Sequence, residues 1–340
     1  MDRPQIRVER DVWENSFVEQ YYNRNHGIVP HENQKDDPKY NEKKKLIRKC
    51  QEIVGTNVSG KPPLNIAIVG PPGGGKSSLL NTIFASFSTE QWKEIASFGR
   101  FGSAPIQFTR KNLSYAKDHY YTRRVPDAYL MPTFFDMTGF EDDDSDSSLA
   151  LLELVLTGRM KEFEVLTKAQ DYAFRYGAEA LLKRYNRGVC NHPIDRIIVV
   201  CTSNPDAPLP TSLLNAVRRA STRHREIPVY GVMTCRDIYP PNVVEDKIKS
   251  FRHHLALPQC RFAHIINYCD AIDSEGLHYK KTTIPSLDVP VLQFMQQVLH
   301  PRPGDPTEKR VSKMDILSIF AFIFAVVAYI YALLISNRKT

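Results

Sequence analysis

The sequence predicts an α/β fold, a mostly parallel sheet with helices on both faces, followed by one C-terminal transmembrane helix. Three observations predict it. From residue 64, short β-branched or aromatic runs alternate with helical patterns, as in a buried parallel sheet wrapped by crossover helices. The first of these runs leads at once into Gly70-Pro71-Pro72-Gly73-Gly74-Gly75-Lys76-Ser77-Ser78, a glycine-rich turn that opens a helix. The stretch 316–335, ILSIFAFIFAVVAYIYALLI, has 20 residues and no charge.

Taken in order, residues 1–61 form a polar N-terminal extension rich in Lys, Asn and Glu, with one helical pattern at 43–54. Strands are predicted near 64–69, 129–136, 195–201, 228–234 and 262–267, with a less distinct one near 119–125. Helices fit 75–87, a broken stretch over about 149–186, 211–223, 242–255 and 286–299. Residues 62–300 therefore make one domain, with 149–186 as a helical insertion. The acidic run EDDDSDSS, 141–148, reads as a solvated loop or as a mobile switch segment. A Pro-rich linker at 301–313 leads to the span at 314–336 and a short basic tail at 337–340. At about 1.5 Å per helical residue the apolar stretch reaches roughly 30 Å, the thickness of a bilayer core. It is apolar all round, unlike a helix lying on a core.

Composition narrows the function classes. The net charge is +7, which permits anionic partners. The basic clusters KKKLIRK (43–49) and RRASTRHR (218–225) lack interleaved aromatics, which argues against single-stranded nucleic acid. They read as solvated helix faces, with anionic lipid as the alternative contact. The six cysteines form no CxxC pair and match no zinc template, so they read as reduced cytosolic thiols. The charged N-terminus does not read as a signal peptide, so the sequons at Asn57 and Asn112 are expected to stay unglycosylated. No Ser/His/Asp or Cys/His nucleophile pattern competes with the glycine-rich loop.

That loop matches G-x-x-x-x-G-K-S through Gly70, Gly75, Lys76 and Ser77, between a strand and a helix as the motif requires. Residues 70–78 are the expected phosphate cradle. Side chains would keep backbone N–H groups from wrapping a phosphate, and the helix N-terminus adds positive potential. Lys76 would reach the β- and γ-phosphates, and the Ser77 hydroxyl would hold Mg²⁺. The fold is thus predicted to be of the P-loop NTPase type. Such a site needs an acid at the end of a neighbouring strand. TFFDMTGF supplies Asp136 and, in Asp-x-x-Gly spacing, Gly139. Asp136 is the expected metal-side acid, and the Gly139 N–H the expected γ-phosphate contact. A switch threonine is expected between the two motifs. Thr109 is preferred, with Thr122 and Ser103 as rivals, to act on the metal and the phosphate beside Lys76 and Gly139. The strand near 228–234 ends in Thr234-Cys235-Arg236-Asp237, in register with the guanine-reading Asn/Thr-Lys-x-Asp of GTPases. Asp237 would accept from guanine N1 and N2. Cys235 stands where a lysine normally packs over the base. Asn267, in INYCD, is placed near the ribose or base.

The Thr-x-Arg-Asp form resembles that of guanylate-binding proteins and related large GTPases. The phosphate loop, FTRKNLSY, FFDMTGF, IDRIIVVCTSN and INY together resemble the interferon-induced 44-like family over about residues 62–300. The resemblance implies a G domain that binds GTP/GDP with Mg²⁺, linked to innate immune or stress responses, and it does not extend to the tail. Ras-type enzymes place a water-orienting glutamine after Asp-x-x-Gly. This chain has Phe140 there, and Pro72 in the loop offers no arginine, so slow hydrolysis is expected unless a homodimer or an activating partner completes the site. Three readings stay open: a membrane-anchored switch or assembly GTPase, a nucleotide-binding membrane scaffold with negligible turnover, and an ATPase, which Asp237 opposes. The span should anchor the chain with its G domain in the cytosol. The endoplasmic reticulum is the first choice of membrane, and the mitochondrial outer membrane the second.

Overall fold

The computed structural model describes residues 33–56, 62–88, 96, 112–115, 129–137, 139–160, 165–186, 192–224, 226–268 and 283–301. The sheet is built from β1 (Asn65–Val69), β2 (Asn112–Tyr115), β3 (Thr133–Met137), β4 (Arg196–Thr202), β5 (Val229–Thr234) and β6 (Phe262–His264). Their order across the sheet is β2-β3-β1-β4-β5-β6. All neighbours pair in parallel except β2, which runs antiparallel to β3 at the edge.

The period of two along each strand sorts its side chains into two cores. Ile66, Ile68, Ile198, Val200, Tyr230 and Val232 face one side, while Ala67, Val69, Ile197, Val199, Cys201 and Met233 face the other. The first side is covered by α1 (Tyr40–Val54), α2 (Lys76–Phe87) and α8 (Pro285–Leu299). The second is covered by α3 (Asp146–Leu156), α4 (Leu166–Tyr176), α5 (Ala178–Tyr185), α6 (Thr211–His224) and α7 (Glu245–His254). Strands apolar on both faces read as continuous hydrophobic runs, and the sequence locates β1, β4 and β5 for that reason.

Three features differ from the sequence reading. Strand β2 is short and polar, and it is specified by its register on β3, with Leu113 opposite Asp136. The strand suggested near 119–125 lies outside the described residues. Helix α1, which the sequence assigns to an extension, carries Lys43, Leu46, Ile47 and Cys50 on one buried stripe at i, i+3, i+4, i+7 and joins the core on α8. The acidic run neither floats free nor forms one loop. Asp143 accepts from the Ser145 and Ser148 hydroxyls at 2.6 Å each, and Ser145 caps α3. Asp142 accepts the Leu213 N–H at 2.9 Å, at the start of α6.

The broken stretch resolves into α3, α4 and α5, with Gly158 (φ 71°) after α3 and Gly177 (φ 87°) between α4 and α5. Among the described residues no helix is long and apolar enough to cross a membrane. The predicted span at 314–336 and the tail at 337–340 lie outside them, as does the linker beyond Pro301.

Candidate nucleotide site

The site gathers at the carboxyl ends of β1, β3, β4 and β5, where parallel sheets leave a crevice. The chain leaves β1 through Gly70, whose backbone lies so close to the Val200 carbonyl of β4 that a Cβ would collide with it. It enters α2 through Gly75 at φ 87°, a left-handed conformation that favours glycine. A Cβ there would also meet Thr234 Oγ1 at 3.0 Å and Asn267 Nδ2 at 3.3 Å. The first helical bond, from Leu79 N to Gly75 O at 2.8 Å, starts α2 directly on the loop. The first N–H groups of a helix lack intrahelical acceptors, so this turn presents donors and positive potential to the crevice. Lys76 lies back along the loop, its Nζ donating to the Pro71 carbonyl at 2.7 Å. Gly73 is also left-handed, with φ 72°, and Thr82 donates to the Ser78 carbonyl at 2.7 Å, holding the first turn.

The acid predicted on the next strand meets the loop. Ser77 Oγ donates to Asp136 Oδ2 at 3.0 Å, and the carboxylate is 6% exposed. Gly139 packs directly against the loop, where a Cβ would lie 2.6 Å from Pro72 Cδ. The Phe140 N–H donates to the Gly70 carbonyl at 3.1 Å, and the Phe140 ring is 3% exposed, sunk into the core under α3. Thr109, with its rivals Ser103 and Thr122, lies outside the described residues.

The β5 tip supplies the third side. Thr234 Oγ1 donates to the Gly74 carbonyl at 3.2 Å, so this threonine braces the phosphate loop. Cys235 sits at φ 64° and begins a turn in which its carbonyl accepts from Ile238 and Tyr239 N–H groups. Asp237 is buried at 7% exposure, and Arg236 is exposed. The Cys235 thiol is half-buried beside Thr202 Oγ1 at 3.7 Å. Burial pushes the Cys201 thiol up to about 12.

Asn267 follows β6 and packs on Gly75 of the phosphate loop. It is buried, and its Oδ1 has no hydrogen-bond partner among the described residues. An orphaned acceptor beside a cradle of backbone donors suits a bound polar ligand. The Ser77 hydroxyl and Asp136 carboxylate are a hard oxygen pair suited to Mg²⁺. Among the described residues no group of three or more His, Cys, Asp or Glu side chains could hold a metal ion, so such an ion would draw further ligands from phosphate oxygens and water.

No family model matches the chain, and no curated protein matches it. Solved structures do overlap it, two of them as follows. One is described as a probable GTP-binding protein, engB, at 14% identity, covering 68% of this chain and 99% of that chain with a TM-score of 0.31. The other is Toc33 from Arabidopsis thaliana in complex with Mg²⁺ and GMPPNP, at 15% identity, covering 75% of this chain and 92% of that chain with a TM-score of 0.35. Overlaps this loose establish nothing about the chemistry of this chain, whose own side chains and strand order carry the reading that follows.

Sequence reasoning found Lys76, Ser77, Asp136 and Gly139, and the structure brings all four to one crevice with the loop. It missed the brace from Thr234 to Gly74 and the cluster formed by Lys43, Tyr268 and Asp288. The lysine and aspartate of that cluster are buried far apart in the chain, and no local pattern marks them.

Proposed function

We propose that this chain is a guanine-nucleotide-binding protein of the G-domain type, which takes GTP or GDP with Mg²⁺ and converts GTP slowly to GDP and phosphate. The observation that carries the reading is the convergence on one phosphate loop of Ser77 with Asp136, of Gly139, and of Thr234 ahead of Asp237. Backbone donors at 70–78 would cradle the phosphates, with Lys76 supplying positive charge at the β- and γ-positions. Ser77 and Asp136 would hold Mg²⁺, whose role is to neutralise charge developing on the phosphates. Thr109 is proposed for the metal side and Asp237 for the guanine edge. Asn267 is proposed to meet the nucleotide through its orphaned oxygen.

Phe140 favours slow turnover, since a phenyl ring packed in the core can neither orient nor polarise a water. The same observation supports a second reading, a nucleotide-binding scaffold with negligible hydrolysis. Residues 314–336 are proposed as the membrane anchor, with the endoplasmic reticulum ahead of the mitochondrial outer membrane. The resemblance to the interferon-induced 44-like family rests on motifs alone, and the proposal keeps from it the G domain.

The test is equilibrium binding of fluorescent GTP and ATP analogues to the full chain with and without Mg²⁺. GTP should bind and ATP should not compete. Lys76→Ala should weaken binding about 100-fold, the scale of one lost charge-assisted phosphate contact. Equal binding by wild type and Lys76→Ala would sink the proposal. Phosphate release measured over rising protein concentration separates the two readings: a rate that climbs with concentration marks an assembly GTPase, and a flat baseline marks a scaffold.

A further inference from the structure

Beneath the phosphate loop lies a buried polar cluster that nucleotide contact does not explain. Asp288 of α8 is 0% exposed and Lys43 of α1 is 1% exposed, and they form an ion pair at 2.8 Å. The same carboxylate accepts from Ser86 Oγ at 3.1 Å, at the far end of the helix that the phosphate loop opens, and from the Tyr268 hydroxyl at 3.0 Å. Three donors from three elements thus converge on one carboxylate. Lys43 also donates to Thr283 Oγ1 at 2.7 Å, which donates to Gln34 Oε1 at 3.0 Å. Asp37 accepts the Ser286 N–H at 3.1 Å. The N-terminal segment therefore grips the start of α8 at several points.

The cluster reaches the crevice through Tyr268. Its hydroxyl accepts the Ile284 N–H at 2.6 Å, and its own N–H donates to Thr82 Oγ1 at 2.9 Å. Thr82 in turn donates to the Ser78 carbonyl. The residue before Tyr268 is Asn267, packed against Gly75. The route from Lys43 to the phosphate loop thus runs through the ion pair to Asp288, the hydrogen bond from the Tyr268 hydroxyl to Asp288, the Tyr268 residue itself, and the hydrogen bonds of Thr82.

A buried ion pair is a poor source of net stability, because desolvation offsets its attraction. A satisfied buried network instead fixes one geometry. Burial pushes the Asp288 carboxyl up, and the Lys43 ammonium is the largest influence pulling it down. Without Lys43 the buried carboxylate would lose the ammonium that pairs with it. The geometry in which it accepts from the Ser86 and Tyr268 hydroxyls would then be less firmly fixed.

We propose that Lys43 is a positioning residue for the nucleotide site, acting through Asp288 and Tyr268 on the Asn267–Tyr268 loop and the phosphate loop, so that docking of the N-terminal helix sets nucleotide affinity. The affinity half of this inference rests on the nucleotide reading above. The geometric half stands without it.

The experiment compares full-length wild type, Lys43→Met, Tyr268→Phe and the double variant. Tyr268→Phe keeps the ring and removes only the hydroxyl, so it decides the matter should Lys43→Met fail to fold. Each single variant should weaken fluorescent GDP binding about tenfold, within the usual range of intersite coupling. The double variant should be no worse than either single one, because both interrupt one route. Hydrogen exchange on the nucleotide-free proteins should rise at 70–82 and 265–268 and stay unchanged in α4 and α5. Melting temperatures that fall with affinity and local exchange intact, or losses that add in the double variant, would overturn the inference. A wild type that fails to bind GDP defeats the nucleotide reading, and the exchange pattern then still decides the coupling.

Discussion

At the residue scale, single groups hold the crevice, and their contributions can be separated. Gly75 combines a left-handed backbone with contacts to Thr234 and Asn267 at 3.0–3.3 Å from a would-be Cβ. Gly75→Ala should cost about 1–2 kcal/mol from the backbone alone and push Thr234 off the loop. Thermal unfolding reads the first effect and nucleotide titration the second; a variant with unchanged melting and unchanged binding would show that the strain is not there. Asp237 is buried at the β5 tip behind a cysteine at φ 64°, where the guanine-reading motif of GTPases carries a lysine. Asp237→Asn exchanges an acceptor for a donor, and it should shift preference from GTP toward xanthosine triphosphate, because a site that pairs with a base edge rejects the unpaired one. ATP competing equally with GTP in the wild type would remove Asp237 from this role.

At the element scale, β6 is the shortest strand among the described residues and carries its own pH sensitivity. His264 lies in β6 with both ring nitrogens buried and without hydrogen-bond partners among the described residues. Burial, aided by the nearby Arg236 guanidinium, lowers it from 6.5 to about 4. Because the folded value lies below the ordinary one, the neutral ring is the form the fold tolerates. The stability it contributes is complete above pH 6.5 and is lost as pH falls through about 4. Discounted for the ring's partial solvent access, the loss is ~2 kcal/mol. Urea midpoints at about pH 7.5 and 4.5 measure it, and His264→Leu should flatten the difference. The strand joins the sheet through Gly231 to Met233 of β5 and continues into Asn267, so acid should loosen the Asn267 loop first.

At the scale of the whole molecule, one sheet separates two kinds of cover. The face of α1, α2 and α8 backs the phosphate loop with a polar cluster, and the face of α3 to α7 is an apolar core that takes in Phe140. The proposed slow turnover and the proposed dependence on the N-terminal helix would therefore belong to opposite faces, and variants in one should leave the other's readout unchanged. Residues 314–336 carry the proposed anchoring. Arg302, Lys309, Arg310 and Lys313 precede this stretch, and such a basic flank favours the cytosolic side, where the proposal puts the G domain. A fluorescent fusion lacking residues 310–340 should become diffuse in cells. If it stays on membranes and resists carbonate extraction, the tail is not the anchor.

The sequence by itself determined what local chemistry dictates. A glycine-rich loop between a buried strand and a helix is legible because glycine, lysine and serine are needed at fixed spacing, and the central parallel strands are legible because both their faces are apolar. The acid at Asp136 is legible once its strand is recognised. Contacts between segments far apart in the chain were decided only by the tertiary structure. Register on β3 creates β2 from the polar run Asn112–Tyr115, and helix α1 reads as an extension until Asp288 arrives to pair Lys43. Thr234 is readable as a neighbour of Asp237, the acid proposed to read guanine, but its brace on Gly74 appears only when β5 lies two strands from β1. The physical reason is common to all three. Backbone conformation and amphipathic period are written within a few residues, whereas a buried polar group is satisfied by whatever partner the folded chain delivers.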